Sequence, residues 1–516
     1  MPILPLNYCA ILTHTNIVVR DSVGYKPKPF KKIKMKNIIL LIVLIITNLT
    51  SFCQPKGWQT VIEFTEDIIP MDIQENYNDE FYITARVLPQ NAAREYSLVY
   101  KLNNAGELLN YSIIKDSLKS LNIFSLGITE DNLLYAFGSS FDSLTKANVS
   151  LLKYKLNDDL EVLQENSCAI EPELRFDGFL AKSLNNSEFL YHGSVFLPNN
   201  RFTAYVAQLD SSFNLLKWSM PDAESLGIYF DFKKLNDTSY WALKVFPWKF
   251  EILDTSFNIL DFSIIPDQIL GNTSCKWVND SSFYLIGQNA SPLPGYNLAL
   301  IKQFHPIDTT GHLFRVWHHS DTIDFPPLWQ GIDLKHPDTI FAGGTRNMSM
   351  DNPYFGYQPS WFVVFQTDSL LNLRWERFYG GNAYYLMTNL KATKDGGCLI
   401  GGTRFQYEGA IANKREIFLL KINSEGLINS VIEMPEFQAR EAIIYPNPGN
   451  KLQIRLAIQH SQAQLRLFDQ AGHLVVQQQL HQFESIIETS HLPAGVYLYQ
   501  LTAPTGLNEN GKWVKE

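Results

Sequence analysis

The chain is poor in cysteine and in charge, and each scarcity excludes a class of protein. Its 516 residues include five cysteines. They are too few and too far apart for a disulfide framework, and none has metal-binding spacing. Charged residues make up 18% of the chain and the formal net charge is −9. A nucleic-acid partner would require a basic surface that neutralises phosphates, so the composition argues against one.

The start of the chain is net basic, whereas the remainder is net acidic. Residues 1–53 hold seven basic residues and one acid, which leaves 36 basic against 51 acidic residues in the remainder. The chain is 45% apolar and 13% aromatic, a composition typical of globular proteins. Its length allows two to four domains with ample buried core.

The apolar run at residues 38–46 is short. It follows Met35-Lys36-Asn37 and precedes polar residues, a pattern typical of a secretory signal peptide. A bilayer span needs about 20 apolar residues. We therefore expect a signal peptide at residues 35–53, cleavage near Cys53-Gln54, and no integral membrane span in the mature chain.

Residues 1–34 show no clear pattern and are expected to be a non-native or unstructured extension, with Met35 as the true start. An N-terminal membrane anchor is the alternative. Cys53 follows Phe52, whereas lipoprotein signals have a small residue before the cysteine, which argues against lipidation.

A polar turn recurs between pairs of alternating apolar segments. The copies are marked by Asn103, Asn157, Asp210, Asp254, Asp308, Asp368 and Asn423. Their spacing runs from 44 to 60 residues. Asn, Asp, Ser and Gly form local side-chain hydrogen bonds and tolerate positive φ, so these segments are predicted to be hairpin turns.

A second polar marker precedes a β-rich run in each repeat, as at Asn78-Asp79 and Asn279-Asp280. Apolar residues alternate with polar ones, for example at Leu152, Tyr154 and Leu156, which is the period of a strand. The body shows no strong helical period. Each repeat is therefore predicted to contain three or four short strands.

Seven such repeats predict an all-β fold, a seven-bladed β-propeller at residues 54–435. A ring of six or eight blades, or a two-sheet sandwich, is the alternative. Residues 58–64 resemble an outer strand that lacks earlier strands of its own. They could complete the last blade, although residues 428–434 could fill the same place.

The C-terminal segment, residues 441–516, has its own strand pattern after a linker near residues 434–442. Leu452, Ile454 and Leu456 alternate with polar residues, as in a half-buried antiparallel strand. Pro446 and Pro448 fix φ and remove two backbone donors, which suits an extended entry at a sheet edge. These features predict a small Ig-like β-sandwich.

Three short motifs occur one after another in this segment. They are Tyr445-Pro446-Asn447-Pro448, Leu492-Pro493-Ala494-Gly495 with Tyr497, and Gly511-Lys512 with Lys515. Their order and position closely resemble the type A C-terminal sorting domain of the bacterial type IX secretion system. The resemblance implies export across the outer membrane, with the type IX machinery as partner of residues 441–516.

No catalytic signature accompanies the repeats: the chain has no nucleophile elbow, phosphate loop, dinucleotide fingerprint or paired-His metal motif. His318, His319 and Asp321 form a weak metal candidate, because adjacent strand residues point to opposite faces. The Asp-rich turns lack the dense pattern of a calcium loop. We expect no cofactor, no metal and no catalytic residue.

Gly-Gly-Thr-Arg occurs twice, at residues 343–346 and 401–404, and close packing of neighbouring blades is favoured over a ligand role for its arginines. Trp218, Trp317 and Trp375 recur at one repeat position, which favours a place between blades. Four tryptophans fall outside that register and are better candidates for an exposed aromatic site. They are Trp241, Trp248, Trp329 and Trp361.

The resulting hypothesis is a secreted or cell-surface propeller that binds a surface glycan or a protein without catalysis. A polysaccharide-degrading or other hydrolytic enzyme with a site at the propeller axis is one alternative, and a structural adhesin is another. Converging acids at the axis would favour the enzyme, and an exposed aromatic surface would favour glycan binding.

Overall fold

The computed structural model describes residues 57–515 with several gaps. The gaps are 91–93, 130–132, 172–173, 186–187, 267–268, 290–295, 318–321, 409–413, 429–441, 446–448, 457–461, 482–483 and 505–506. The predicted extension at 1–34 and signal peptide at 35–53 lie outside the described residues, as does most of the predicted linker. The described residues form strands, turns and loops, and none of them belongs to a helix long and apolar enough for a membrane span.

The body is built of antiparallel four-stranded sheets, as the repeats predict. Six sheets contain four consecutive strands each: β2(Asp67–Glu75) β3(Phe81–Leu88) β4(Tyr96–Leu102) β5(Leu108–Ile114); β6(Ser120–Ile128) β7(Leu134–Phe141) β8(Ser150–Leu156) β9(Val162–Ala169); β10(Arg175–Asn185) β11(Glu188–Phe196) β12(Phe202–Asp210) β13(Leu215–Ser219); β14(Ile228–Lys234) β15(Ser239–Val245) β16(Lys249–Asp254) β17(Ile259–Ile264); β18(Ile269–Trp277) β19(Phe283–Asn289) β20(Asn297–Gln303) β21(Leu313–Trp317); and β22(Ile332–His336) β23(Thr339–Arg346) β24(Trp361–Thr367) β25(Leu373–Gly380). We number these sheets blades 1 to 6 and call their strands inner, second, third and outer.

The seventh sheet joins the two ends of the body. It contains β26(Tyr384–Ala392), β27(Cys398–Phe405), β28(Glu416–Ile422) and, as its outer strand, β1(Trp58–Ile62). β1 pairs antiparallel with β28 from Trp58 opposite Lys421 to Ile62 opposite Ile417. The strand at residues 58–62 therefore completes the last blade, which was one of the two arrangements left open by the sequence.

The blades close into a ring. Each blade contacts the following one, with an inner strand taking part at every junction, and β2 contacts both β6 of blade 2 and β26 of blade 7. The buried apolar side chains of the described residues form a cluster between each pair of neighbouring blades, for example Leu190 with Phe232 and Ile73 with Leu419. The core is therefore mainly interblade, which is the packing expected of a β-propeller.

Two faces follow from the strand order. In every blade, the inner strand and the third strand end on the same face, which we call the turn face. The loops between the second and third strands, and the connections between blades, lie on the opposite face, which we call the loop face.

Recurring hairpin turns on the turn face hold neighbouring blades together. At every junction, a side chain of one blade donates a hydrogen bond to the turn that follows the third strand of the next blade. The pairs are Lys101 to Asp158, Lys153 to Ser211, Lys217 to Thr255, Trp241 to Pro306, Lys302 to Ser369, Trp375 to Ser424 and Trp58 to Asn104. The repeated turns of the sequence are thus interblade contacts.

The Asn and Asp side chains that mark these turns accept hydrogen bonds from backbone N–H groups of the same turn. Asn103 Oδ1 accepts the N–H of Glu107 at 2.9 Å, and Asp254 Oδ1 accepts the N–H of Asn258 at 2.8 Å. Among the described residues, no group of three or more His, Cys, Asp or Glu side chains is placed to hold a metal ion. Turn formation accounts for these aspartates without calcium.

The paired glycines of the Gly-Gly-Thr-Arg repeats lie where side chains of other blades approach the backbone. A Cβ on Gly401 would lie 2.5 Å from Ile73 Cδ1 of blade 1, and one on Gly402 would lie 2.5 Å from Phe362 of blade 6. The arginines are engaged: Arg404 pairs with Glu416 at 2.7 Å, and Arg346 lies over the Phe378 ring at 4.9 Å.

The C-terminal module is a two-sheet β-sandwich. Its strands are β29(Ala442–Tyr445), β30(Leu452–Leu456), β31(Ala463–Phe468), β32(Leu474–Leu480), β33(Glu484–Ile487), β34(Gly495–Thr502) and β35(Asn508–Lys515). One sheet has the order β29-β30-β33 and the other β32-β31-β34-β35. Both sheets contribute to one apolar core that includes Leu452, Leu465 and Trp513.

Replacing Trp58 should weaken the closure of the ring and so destabilise the fold. Trp58 is 6% exposed, and its ring packs on Gly106 of blade 1 while Nε1 donates to Asn104 O at 2.8 Å. We expect Trp58→Ala to lower the free energy of unfolding by about 3–5 kcal/mol, measured by denaturant unfolding. Trp58→Phe keeps most of the packing and should cost about 1 kcal/mol. Equal stability of Trp58→Ala and wild type would contradict closure by β1.

Acid should loosen the repeated turns. The backbone N–H of Asn214 holds the pKa of Asp210 below its ordinary value, and the side-chain amides of Asn258 and Asn372 are the largest cause of the lowered pKa of Asp254 and Asp368. A lowered pKa stabilises the fold above the ordinary pKa, and that stabilisation is lost as the pH falls through the lowered one.

Asparagine marks the same turn in three other repeats and does not titrate. The triple variant Asp210→Asn, Asp254→Asn, Asp368→Asn should therefore fold as wild type at neutral pH and unfold at a lower pH. Circular dichroism along a pH titration measures the midpoint, and an unchanged midpoint would show that these carboxylates do not contribute.

Candidate functional site

The second and third motifs of the C-terminal module meet at one edge of the sandwich, together with the residue that follows the first motif. Gly449, which directly follows the first motif, forms a parallel bridge with Lys515, and its N–H donates to Val514 O at 3.0 Å. Lys515 Nζ donates to the carbonyl oxygens of Thr489 and Leu492, the latter at 2.5 Å. The last motif is therefore bound to the turn that carries the second one.

The side chains of the second and third motifs divide into buried and exposed sets. Leu492, Tyr497 and Lys515 are buried, and the Tyr497 hydroxyl donates to Pro493 O at 2.7 Å. The exposed residues are Pro493, Ala494 and Lys512, while Gly495 and Gly511 are half-buried. The buried set shapes the turn, and the exposed set lies at the surface of the module.

The first motif is described only in part. The backbone of Tyr445 belongs to β29, where it pairs with Gln453. Pro446, Asn447 and Pro448 lie outside the described residues, so their predicted role stays a prediction.

Acidic side chains lie near the propeller axis, and their oxygens accept hydrogen bonds from the next blade. At five junctions, residues near the inner-strand bulges form polar contacts to the next blade. The contacts are Asp72 Oδ2 with the N–H of Leu126, Asp231 Oδ2 with Cys275 Sγ, Ser274 Oγ with the N–H of Gly331, Asp333 Oδ2 with the N–H of Ala392, and Asn389 Nδ2 with Met71 O. Burial raises the pKa of Asp72, against the opposing effect of the Lys391 charge and of hydrogen bonds from Leu126, Gln74 and Ile73.

On the loop face, a tryptophan lies near the inner strands. Residues 328–330 run along β26, where the N–H of Trp329 donates to Thr388 O at 3.0 Å. The half-buried Trp329 ring packs against the apolar cluster that contains Met71 and Phe124 of blades 1 and 2. The axis is therefore lined by structural contacts, and the metal candidates His318, His319 and Asp321 lie outside the described residues.

The predicted exposed tryptophans are not the exposed aromatic surface. Trp241 is completely buried in the cluster between blades 4 and 5, where its indole donates to Pro306 O, and Trp361 is 7% exposed within the third strand of blade 6. Trp248 is half-buried and donates to Gly271 O at 3.0 Å. The expectation was therefore wrong for Trp241 and Trp361, because interblade packing decides their burial.

Two exposed tyrosines lie close together in sequence on the loop between β23 and β24, at residues 347–360. Tyr354 is 47% exposed and Tyr357 is 64% exposed. Phe405 supports the loop from below, with Tyr357 at 5.6 Å and Phe355 at 5.2 Å between ring centroids. The Arg415 guanidinium lies 4.5 Å from the centre of the Phe355 ring and 5.5 Å from that of Tyr354.

This aromatic loop is held rigidly. The Tyr384 hydroxyl donates to Pro353 O at 2.8 Å and accepts the N–H of Ser349 at 3.2 Å. Asn347 Nδ2 donates to Pro359 O at 2.6 Å, which ties the two ends of the loop. A Cβ on Gly356 would lie 2.4 Å from the Tyr384 ring, so the loop requires glycine there.

The same arginine links the aromatic loop to the ring closure. Arg415 Nε and its backbone N–H donate to Asp67 Oδ1 of blade 1 at 2.9 and 2.8 Å, and both side chains are buried. The sequence signal for the loop is the dense aromatic segment Asn352-Pro353-Tyr354-Phe355-Gly356-Tyr357, which sequence reasoning based on tryptophan missed.

Comparison with known proteins identifies the C-terminal module. Residues 443–516 match the family of the secretion system C-terminal sorting domain. The chain thus ends in a type IX sorting domain and is exported to the cell surface or secreted. No curated protein matches the chain.

Solved structures similar to the chain include three propeller or secretion proteins. The GH93 α-L-arabinofuranosidase of Fusarium graminearum has 10% identity and a TM-score of 0.38, covering 71% of this chain and 97% of that one. The β-propeller domain of the Trilobed protease from Pyrococcus furiosus has 9% identity and a TM-score of 0.36, covering 72% and 100%. PorZ, a surface component of the type IX secretion system of Porphyromonas gingivalis, has 9% identity and a TM-score of 0.20, covering 87% and 81%. These similarities are too low to transfer an activity.

Loss of the Lys515 ammonium should disable the sorting module. Lys515→Met keeps the length of the side chain but leaves two carbonyl oxygens without their donor, at a cost of about 1–3 kcal/mol for each. We expect faster hydrogen exchange at residues 489–495 and accumulation of the full chain in the periplasm. Lys512→Met, on the exposed side of the same strand, is the matched control for stability. Normal exchange and normal surface display of Lys515→Met would contradict this role.

Proposed function

We propose that the propeller is a non-catalytic binding module displayed at the cell surface, and that its ligand is a glycan bound at the aromatic loop. The observation that carries the proposal is the pair Tyr354 and Tyr357, exposed on a loop that the fold holds in one conformation. A tyrosine ring offers an apolar face together with a polar hydroxyl, which matches the apolar and hydroxylated faces of a sugar ring.

Rigidity favours binding by this loop. The contacts of Asn347, Gly356 and Tyr384 fix the loop before any ligand arrives. Because little conformational entropy is then lost on association, a modest aromatic surface can give measurable affinity. Loops on a rigid ring are also the usual place for binding residues.

The arrangement of the acids supports binding over hydrolysis. A glycosidase needs two carboxyl groups free to face a sugar from both sides. The described acids at the axis instead accept hydrogen bonds from backbone N–H or thiol groups of neighbouring blades, as Asp72, Asp231 and Asp333 do.

Removal of the tyrosine rings tests the proposal. The wild-type chain should bind a subset of a glycan array, and the double variant Tyr354→Ala, Tyr357→Ala should lose at least about tenfold in affinity, since truncation of an aromatic anchor commonly costs about 1–2 kcal/mol or more. Tyr111→Ala, an exposed tyrosine on the outer strand of blade 1, is the matched control.

The same screen separates the alternatives. Shortened sugar products would show an enzyme and contradict non-catalytic binding. Binding of cell-envelope proteins but no glycan would show a protein ligand, and silence toward both would favour a structural adhesin.

A further inference from the structure

Two lysines lie near the turn-face ends of neighbouring inner strands that contact each other. Lys391 belongs to the inner strand of blade 7, and Lys335 lies near the end of the inner strand of blade 6. Lys335 is exposed, with 45% of its side chain accessible, and Lys391 is half-buried.

The carboxylates around this pair are already occupied. Asp333 pairs with Lys276 at 2.6 Å and accepts the N–H of Ala392 at 3.0 Å. Glu75 accepts the N–H of Lys394 with both oxygens, at 3.0 and 3.2 Å. These acids hold neighbouring blades together and cannot turn fully towards the lysines.

Asp72, the remaining acid that interacts with Lys391, is occupied in the same way. Its Oδ1 accepts the N–H of Ile73 at 2.7 Å, and its Oδ2 accepts the N–H of Leu126 at 2.8 Å. The Lys335 ammonium comes no closer than 3.9 Å to Glu75, and no oxygen of the described residues accepts a hydrogen bond from Lys391. Each ammonium has three donors, so this end of the inner strands presents unused donors from two adjacent blades.

The two cations also repel one another. Burial and then the charge of Lys391 lower the pKa of Lys335, and Lys276 acts in the same direction, while Asp333 and Glu75 oppose them. A negative group between the lysines would remove the repulsion and supply the missing acceptors.

We propose that Lys335 and Lys391 form a binding site for an oxyanion, the carboxylate, phosphate or sulfate group of a ligand. Such a group can be a free ion or part of an acidic glycan. The site lies on the turn face, whereas the aromatic loop lies on the loop face. It therefore stands independently of the proposed glycan binding by Tyr354 and Tyr357.

Calorimetric titration of the full chain tests the site with two probes, inorganic phosphate and an oligogalacturonate. We expect at least one probe to bind, and the double variant Lys335→Met, Lys391→Met to bind it about tenfold more weakly or not at all. Lys335→Arg, Lys391→Arg keeps both charges and should retain binding. Lys115→Met, an exposed lysine at the end of β5, is the neutral control.

The outcomes separate the two sources of the anion. Binding of phosphate alone supports a site for a small free ion, and tighter binding of the galacturonate supports an acidic glycan. Absence of binding by both probes would overturn the proposal, and so would equal affinity in the methionine variant and wild type. Unchanged melting temperatures of all variants ensure that a lost signal reports the site and not unfolding.

Discussion

The ring depends on the hydrogen bonds that each blade donates to the hairpin of the next. A blade is a twisted sheet with two apolar faces, and it can bury both only between neighbours. The apolar clusters supply most of the favourable free energy, but they do not fix the register between blades. A lysine, tryptophan or other donor that meets one hairpin, as Lys153 meets Ser211, fixes that register. The recurring turns of the sequence are explained by this requirement.

The proposed binding surfaces lie at the two faces of the ring. The described acids Asp72, Asp231 and Asp333 near the axis accept hydrogen bonds from neighbouring blades. The exposed tyrosines of the aromatic loop lie on one face, and Lys335 and Lys391 lie near the mouth on the opposite face. The sorting module also contains both structural and exposed residues. Lys515 holds the turn through its hydrogen bond to Leu492 O, while Pro493 and Ala494 are exposed.

Local features of the sequence predicted the parts of the fold that local physics decides. Turns marked by asparagine and aspartate, strands with alternating apolar residues, and the glycines of Gly-Gly-Thr-Arg each act through near neighbours or through a missing side chain. Residues 58–62 were predictable as a strand because Trp58 repeats the pattern of Trp375, but the choice of β28 as partner required the ring. Burial of Trp241 and Trp361, and exposure of Tyr354, depend on which blade lies opposite. A single sequence does not show which blade packs opposite a given residue. For the same reason it does not show that Lys335 and Lys391 lie on neighbouring inner strands.

The outer strand of the last blade imposes an order of events on secretion. β1 is the earliest strand of the ring, yet its partner β28 follows six complete blades. For a chain that crosses the inner membrane amino end first, as the signal predicted at residues 35–53 would direct, β1 emerges while β28 is still on the other side. Closure must therefore wait until translocation of the seventh blade is finished. Until then β1 has no partner strand, and the last blade lacks its outer strand.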